Sequence, residues 1–109
     1  MYRFSVEKDE KILKKGCASL HIEDATLSGA LYLTNARLVF VGHILGGNAA
    51  RKELSVPLTR IASVKGGKTA LIIPNAVDVV TTADEKLRLV LRDRREWLSA
   101  IERELSSRL

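Results

Sequence analysis

The sequence predicts a mainly β domain: about seven short antiparallel strands, closed by one C-terminal α-helix. Three observations carry this. Runs of alternating apolar and polar residues recur from about residue 18 to residue 91, broken by Gly, Asn, Asp and Pro. The links between the runs are too short for the crossovers that parallel strands require, so sequence neighbours pair antiparallel. After Asp93 the period changes, and Trp97, Leu98, Ile101 and Leu105 fall on one stripe of a helix.

In chain order, residues 1–15 read as an N-terminal arm or a short amphipathic helix, with Val6, Ile12 and Leu13 among charges, ended by Gly16. Residues 16–109 form the domain. Ala18 to Ile22 alternates weakly. Ala30 to Thr34 is rich in strand formers, and Arg37 to Ile44 puts Leu38, Phe40, Gly42 and Ile44 on one face. Asn35-Ala36 between them reads as a tight hairpin turn, because Asn tolerates positive φ. Leu45 to Ala50 is a loop by its glycines. Leu54, Val56 and Leu58 alternate, with Pro57 marking a strand end. Ile61 to Lys65 is a short run, Gly66-Gly67 a turn, Thr69 to Ile73 extended, and Pro74-Asn75 a further turn. Val77 to Thr82 is a β-branched strand, Ala83-Asp84-Glu85 a turn, and Leu87, Leu89 and Leu91 the inner face of the last strand. Asp93 stands at the N-cap of the helix with Glu96 three residues on, a variant of the capping box. A curled sheet or two packed sheets, with the helix over an open end, buries the most apolar surface for so short a chain.

The composition agrees with one globular domain: 109 residues, 46% apolar and 28% charged. No run of about 18 apolar residues is present to span a membrane. The first residues lack the apolar core of a secretory signal, and no lipidation motif stands at either end. Cys17 is the single cysteine, so no internal disulfide forms and a reducing, cytoplasmic setting is expected. A small free cysteine is expected buried or half-buried.

The net charge is +5, and most of the excess lies in one stretch. Residues 51–68 hold Arg51, Lys52, Arg60, Lys65 and Lys68 against Glu53, whereas residues 69–92 and 93–109 each balance. Arg51, Lys52, Lys65 and Lys68 are therefore the candidate patch for an anionic ligand such as a membrane surface. Ile44 and Leu45, in an apolar loop, are the candidate partner-docking residues. Aromatic content of 5% gives little stacking surface for single-stranded nucleic acid, and the charge-balanced helix makes a poor recognition helix for a duplex.

Catalytic constellations are missing from the sequence. Gly67-Lys68-Thr69 has the end of a phosphate-binding loop, but the first glycine of that motif would fall on Ala62 and a strand follows instead of a helix. His21, His43 and Cys17 lack metal-ligand spacing. No Gly-x-Ser-x-Gly elbow accompanies the serines, and the acidic pairs Glu23-Asp24 and Asp84-Glu85 sit in turns. No catalytic, metal or cofactor residue is assigned.

The stretch Gly29-Ala30-Leu31-Tyr32-Leu33-Thr34-Asn35-Ala36-Arg37-Leu38-Val39-Phe40 resembles the core hairpin of the GRAM domains. Glu53 to Val64, where a strand ends in Pro57 and leads to Ile61 and Val64, is similar to the stretch that follows in that family. Ile72-Ile73-Pro74-Asn75 and Arg94-Arg95-Glu96-Trp97 look like free-standing bacterial members. The resemblance implies the PH superfold, with two near-orthogonal antiparallel sheets of seven strands capped by the helix, and a binding module in place of an enzyme. The first-strand loop, where PH domains that read phosphoinositides carry basic residues, here contains Glu23 and Asp24. The expected partners are thus a protein or a second copy of the chain. Anionic membrane lipid, met through residues 51–68 at the inner membrane face, is the alternative. Nucleic acid, a small-molecule substrate and a cofactor are not expected.

Overall fold

The chain folds as β1 (Ile12–Ile22), β2 (Ala25–Thr34), β3 (Arg37–Ile44), β4 (Arg51–Pro57), a 3-10 turn (Leu58–Arg60), β5 (Ile61–Thr69), β6 (Ile73–Thr81), β7 (Lys86–Leu91) and α1 (Arg94–Ser106). The structure is a computed structural model that describes residues 4–22, 25–44, 51–69 and 73–107. All ladders are antiparallel, and they join the seven strands into a single sheet in the order β4-β3-β2-β1-β7-β6-β5. Of the curled sheet and the two packed sheets open to so short a chain, the ladders form the curled one, because β1 pairs with β2 on one side and with β7 on the other.

A row of small residues crosses three strands. Ala18, Gly29 and Gly42 lie side by side across β1, β2 and β3. A Cβ on Gly29 would run into the Val41 carbonyl, and one on Gly42 would meet the Phe40 ring at 2.8 Å. Only the Ala18 methyl stands on this row, which leaves room for the Phe40 ring beside Gly42. The concave side holds the main core, with Leu20, Leu31, Leu33, Leu38, Phe40, Val77, Val79 and Leu89 around Trp97 and Ile101 of the helix. The helix packs on β5, β6 and the 3-10 turn. Its stripe is as read from the sequence: Trp97 and Ile101 are buried, with Leu98 and Leu105 packed beside them.

Several local readings change. The first strand starts at Ile12 and runs through Gly16, so Gly16 is no boundary. Gly66 and Gly67 do not turn: β5 is continuous from Ile61 to Thr69, and β6 already begins at Ile73. Asp93 stands at the helix N-cap, but in the left-handed region (φ 58°, ψ 44°) with no side-chain cap bond. Glu96 pairs with Lys14 at 3.5 Å in place of closing a capping box. Cys17 is exposed, since it falls on the outer face of β1.

The outer face of the hairpin is covered too. Val39 and Val41 are fully buried beside Tyr32, packed by Phe4. The segment carrying Phe4 is fastened by one carboxylate. Glu10 accepts from Arg37 Nε at 2.8 Å, Arg37 Nη2 at 3.0 Å, Thr34 Oγ1 at 2.6 Å and the Glu7 amide at 2.9 Å. Arg37 also donates to the Ser5 carbonyl at 2.7 Å and stands 5.1 Å over the Phe4 ring. Asn35 in the hairpin turn accepts from the Lys11 amide and donates to the Asp9 carbonyl. The Arg37 guanidinium, ahead of the other donors, lowers the Glu10 carboxyl from 4.5 to about 2.

Candidate functional site

The site starts from a mismatch in strand length. β7 ends at Leu91, which pairs with Ala18, while β1 continues back from Ala18 to Ile12. Among the described residues, Lys14 to Cys17 therefore pair only with β2, and the opposite edge of this stretch carries no strand. After Leu91 the chain turns at Arg92 and Asp93 and enters the helix at Arg94. A cleft of about 1180 Å³ opens where the two strands part, lined by Lys14, Lys15, Gly16, Cys17, Trp97 and the Arg92–Arg94 link, among others.

Side chains from both walls shape it. Trp97, 3% exposed, lies against Gly16, where an added Cβ would touch Cζ2 at 3.4 Å. Lys14 points to the same side, 5.2 Å over the Trp97 ring and 3.5 Å from Glu96. Arg94 Nη1 donates to the Gly67 carbonyl at 3.0 Å, while its Nε is buried with no partner among the described residues. Four cations, Lys14, Lys15, Arg92 and Arg94, line this cleft against the carboxylate of Asp93. The arrangement offers, among the described residues, a strand edge paired on one side alone, with cations beside it. A cleft of this kind can take an anion or an extended chain, and among the described residues that line it none is a histidine.

The residues singled out in the sequence lie elsewhere. Arg51 and Lys52 open β4 and are exposed; Arg51 donates to Glu53 at 3.2 Å, which offsets part of its charge. Lys65 is exposed on β5 opposite Asp78, whose carboxylate takes two bonds from Arg88, at 2.8 and 3.0 Å. β4 and β5 stand at opposite ends of the strand order, and no ladder brings Arg51 and Lys52 to Lys65. Lys68 belongs to β5 and Ile44 ends β3, but their side chains, and the whole of Leu45, lie outside the described residues.

Sequence reasoning missed the cleft cations because each sits in a stretch with little excess charge. The signal available was Lys14-Lys15 in one terminal stretch and Arg92, Arg94 and Arg95 in the other, and only the β1–β7 ladder joins the two. Among the described residues, no group of three or more His, Cys, Asp or Glu is placed to hold a metal ion. No described helix is long and apolar enough to cross a membrane.

Comparison with known proteins adds a family and a fold. The model of the GRAM domain family matches residues 1–105. A crystal structure of the C-terminal domain of an unknown protein from Leishmania infantum is similar, with a TM-score of 0.74 at 21% identity, over 90% of this chain and 86% of that one. At that identity the likeness is one of fold. No curated protein matches the sequence.

Proposed function

The chain belongs to the GRAM domain family, and from that premise we propose that it is a non-catalytic module that binds protein, a second copy of itself included, through strand edges its sheet leaves unpaired. The family is one of interaction modules for membranes, lipids or proteins. The observation that carries the protein reading is the open sheet: β4 and β5 end the strand order, and β1 runs on past the end of β7. An open edge presents backbone donors and acceptors that another strand satisfies. The finer readings of the sequence belong to the same proposal: a PH-like superfold, a free-standing bacterial member of the family and a cytoplasmic protein.

Anionic lipid is the second reading. It is favoured by the exposed Arg51, Lys52 and Lys65 and by the family's range. Each basic group near an anionic surface contributes about 1 kcal/mol. Against it stand the partial neutralisation of Arg51 by Glu53 and the placement of these cations on two different edge strands. A photo-crosslinking amino acid at Ser55 on β4 or Ser63 on β5, both exposed, tests the choice in cells. The protein reading expects adducts with a polypeptide, a second copy or another chain. Adducts with lipid alone contradict it, and so does the absence of adducts from both edges when no polypeptide binds along Lys14–Cys17 either.

A further inference from the structure

We propose that the cleft between β1 and the start of α1 takes an extended acidic segment of a partner protein, added as a strand along Lys14–Cys17. This rests on the protein-binding reading above and names the edge and the chemistry of the partner. The edge is free because β1 outruns β7, so the backbone of Lys14 to Cys17 is paired on its β2 side alone among the described residues. That stretch is roughly 13 Å of strand at about 3.3 Å per residue. The open cleft beside it, about 1180 Å³, is as large as the usual small-molecule pockets of roughly 300–1,000 Å³, so a short extended segment fits.

The charge selects the occupant. Lys14, Lys15, Arg92 and Arg94 line the cleft with Asp93; Lys14 is paired with Glu96 and Arg94 is bonded to the Gly67 carbonyl, so the excess charge is carried mainly by the exposed Lys15 and Arg92, which attract carboxylates and repel a basic segment. The two faces of β1 set the pattern within that segment. Lys14, Gly16 and Ala18 point to the side of Trp97, while Lys15 and Cys17 point outward and are exposed. A strand laid alongside keeps the same alternation. Small apolar residues then fall on the Trp97 side, and acidic residues fall outward beside Lys15 and the exposed Arg92. The preferred segment alternates acidic and small apolar residues.

Two features keep this edge from pairing without selection. The register shifts between Ile12 and Lys14, and Lys14 is a charge turned toward the inner side. Irregularities and inward charges of this kind stop continuous edge-to-edge growth. They leave room for a short segment over Lys14–Cys17 and limit sheet extension past Ile12.

The test uses the full chain and a fluorescein-labelled eight-residue peptide of alternating Glu and Val, read by anisotropy. Binding is expected, with amide shifts at Gly16 and Cys17 in nitrogen-15 NMR. Lys15→Glu combined with Arg92→Glu, two exposed positions outside the core, is expected to weaken binding at least tenfold. N-methylating alternate peptide amides keeps the charge and removes the strand bonds, and in one of the two phases it is expected to cost at least tenfold as well. Equal binding by both N-methylated peptides overturns strand addition, and equal binding by the double variant overturns the site. No binding overturns the proposal. So does anionic-vesicle binding that the double variant abolishes while the peptide stays unbound. If the peptide fails while Ser55 and Ser63 still crosslink to protein, this inference falls and the protein-binding function stands; if both fail, both fall.

Discussion

Replacing Glu10 by Gln removes the charge that fastens the N-terminal segment to the hairpin. Only 3% of the Glu10 side chain and 16% of the Arg37 side chain are exposed, so solvent screens the pair little. The carboxyl falls from 4.5 to about 2, with the hydrogen bond from Arg37 the largest cause. Each tenfold change in proton affinity is worth about 1.4 kcal/mol, so the pair contributes up to about 3 kcal/mol at neutral pH. The carboxyl is depressed in the fold, so this stability is fully present above 4.5 and is lost as pH falls toward 2. Arg37 is raised above its ordinary value and stays charged throughout this range. Urea unfolding followed through the fluorescence of Trp97, which is buried against Gly16, measures the effect. Glu10→Gln is expected to lose about 2–3 kcal/mol at pH 7, since it also leaves Arg37 without its counter-charge. The gap between variant and parent should close between pH 4.5 and 2. Equal stabilities at pH 7, or a gap that persists at pH 2, would refute the reasoning.

Three further outcomes follow from packing. Gly29→Ala puts a Cβ into the Val41 carbonyl and within 2.5 Å of Gly42 Cα, backbone that cannot give way. It should cost more than about 3 kcal/mol, or prevent folding, as read by circular dichroism. Trp97→Ala empties the contact between α1 and Gly16 and should cost about 3–5 kcal/mol in urea midpoints. Thr34→Val leaves the Ala36 and Arg37 amides without the hydroxyl they now reach at 3.0 and 2.9 Å, and it removes the bond to Glu10. It should cost about 2–3 kcal/mol and raise the Glu10 carboxyl from about 2, seen by carbon-13 NMR titration.

The hairpin and the helix were legible in the sequence because their signal is local. Leu31, Leu33, Leu38 and Phe40 alternate within two runs, and Trp97, Leu98, Ile101 and Leu105 form one stripe; all pack on the main core. What depends on distant partners was not legible. Val39 and Val41 sit on the face shared with Arg37, and its cover is Phe4, far back in the chain. Gly66 and Gly67 carry turn residues by type, yet here they make room: a Cβ on Gly66 would meet Arg94 at 2.9 Å, and one on Gly67 would collide with the Asp78 carboxylate. One sheet or two was decided by the pairing of His21 with Arg88 and of Ala18 with Leu91, which joins the two ends of the sequence. The cleft cations were illegible for the same reason: Lys15 and Arg92 line one cleft only because β1 and β7 pair.

The proposed function is that this domain meets proteins and not membranes. Vesicle flotation tests it most directly, with neutral and anionic lipids at low and moderate salt. At low salt the electrostatic range is about 30 Å, against about 10 Å at 0.1 M, so any attraction of Arg51, Lys52 and Lys65 to a membrane is then strongest. The protein is expected to stay behind when anionic vesicles float at moderate salt. Flotation with anionic vesicles that persists at moderate salt, and that Lys52→Glu with Lys65→Glu abolishes, would contradict it.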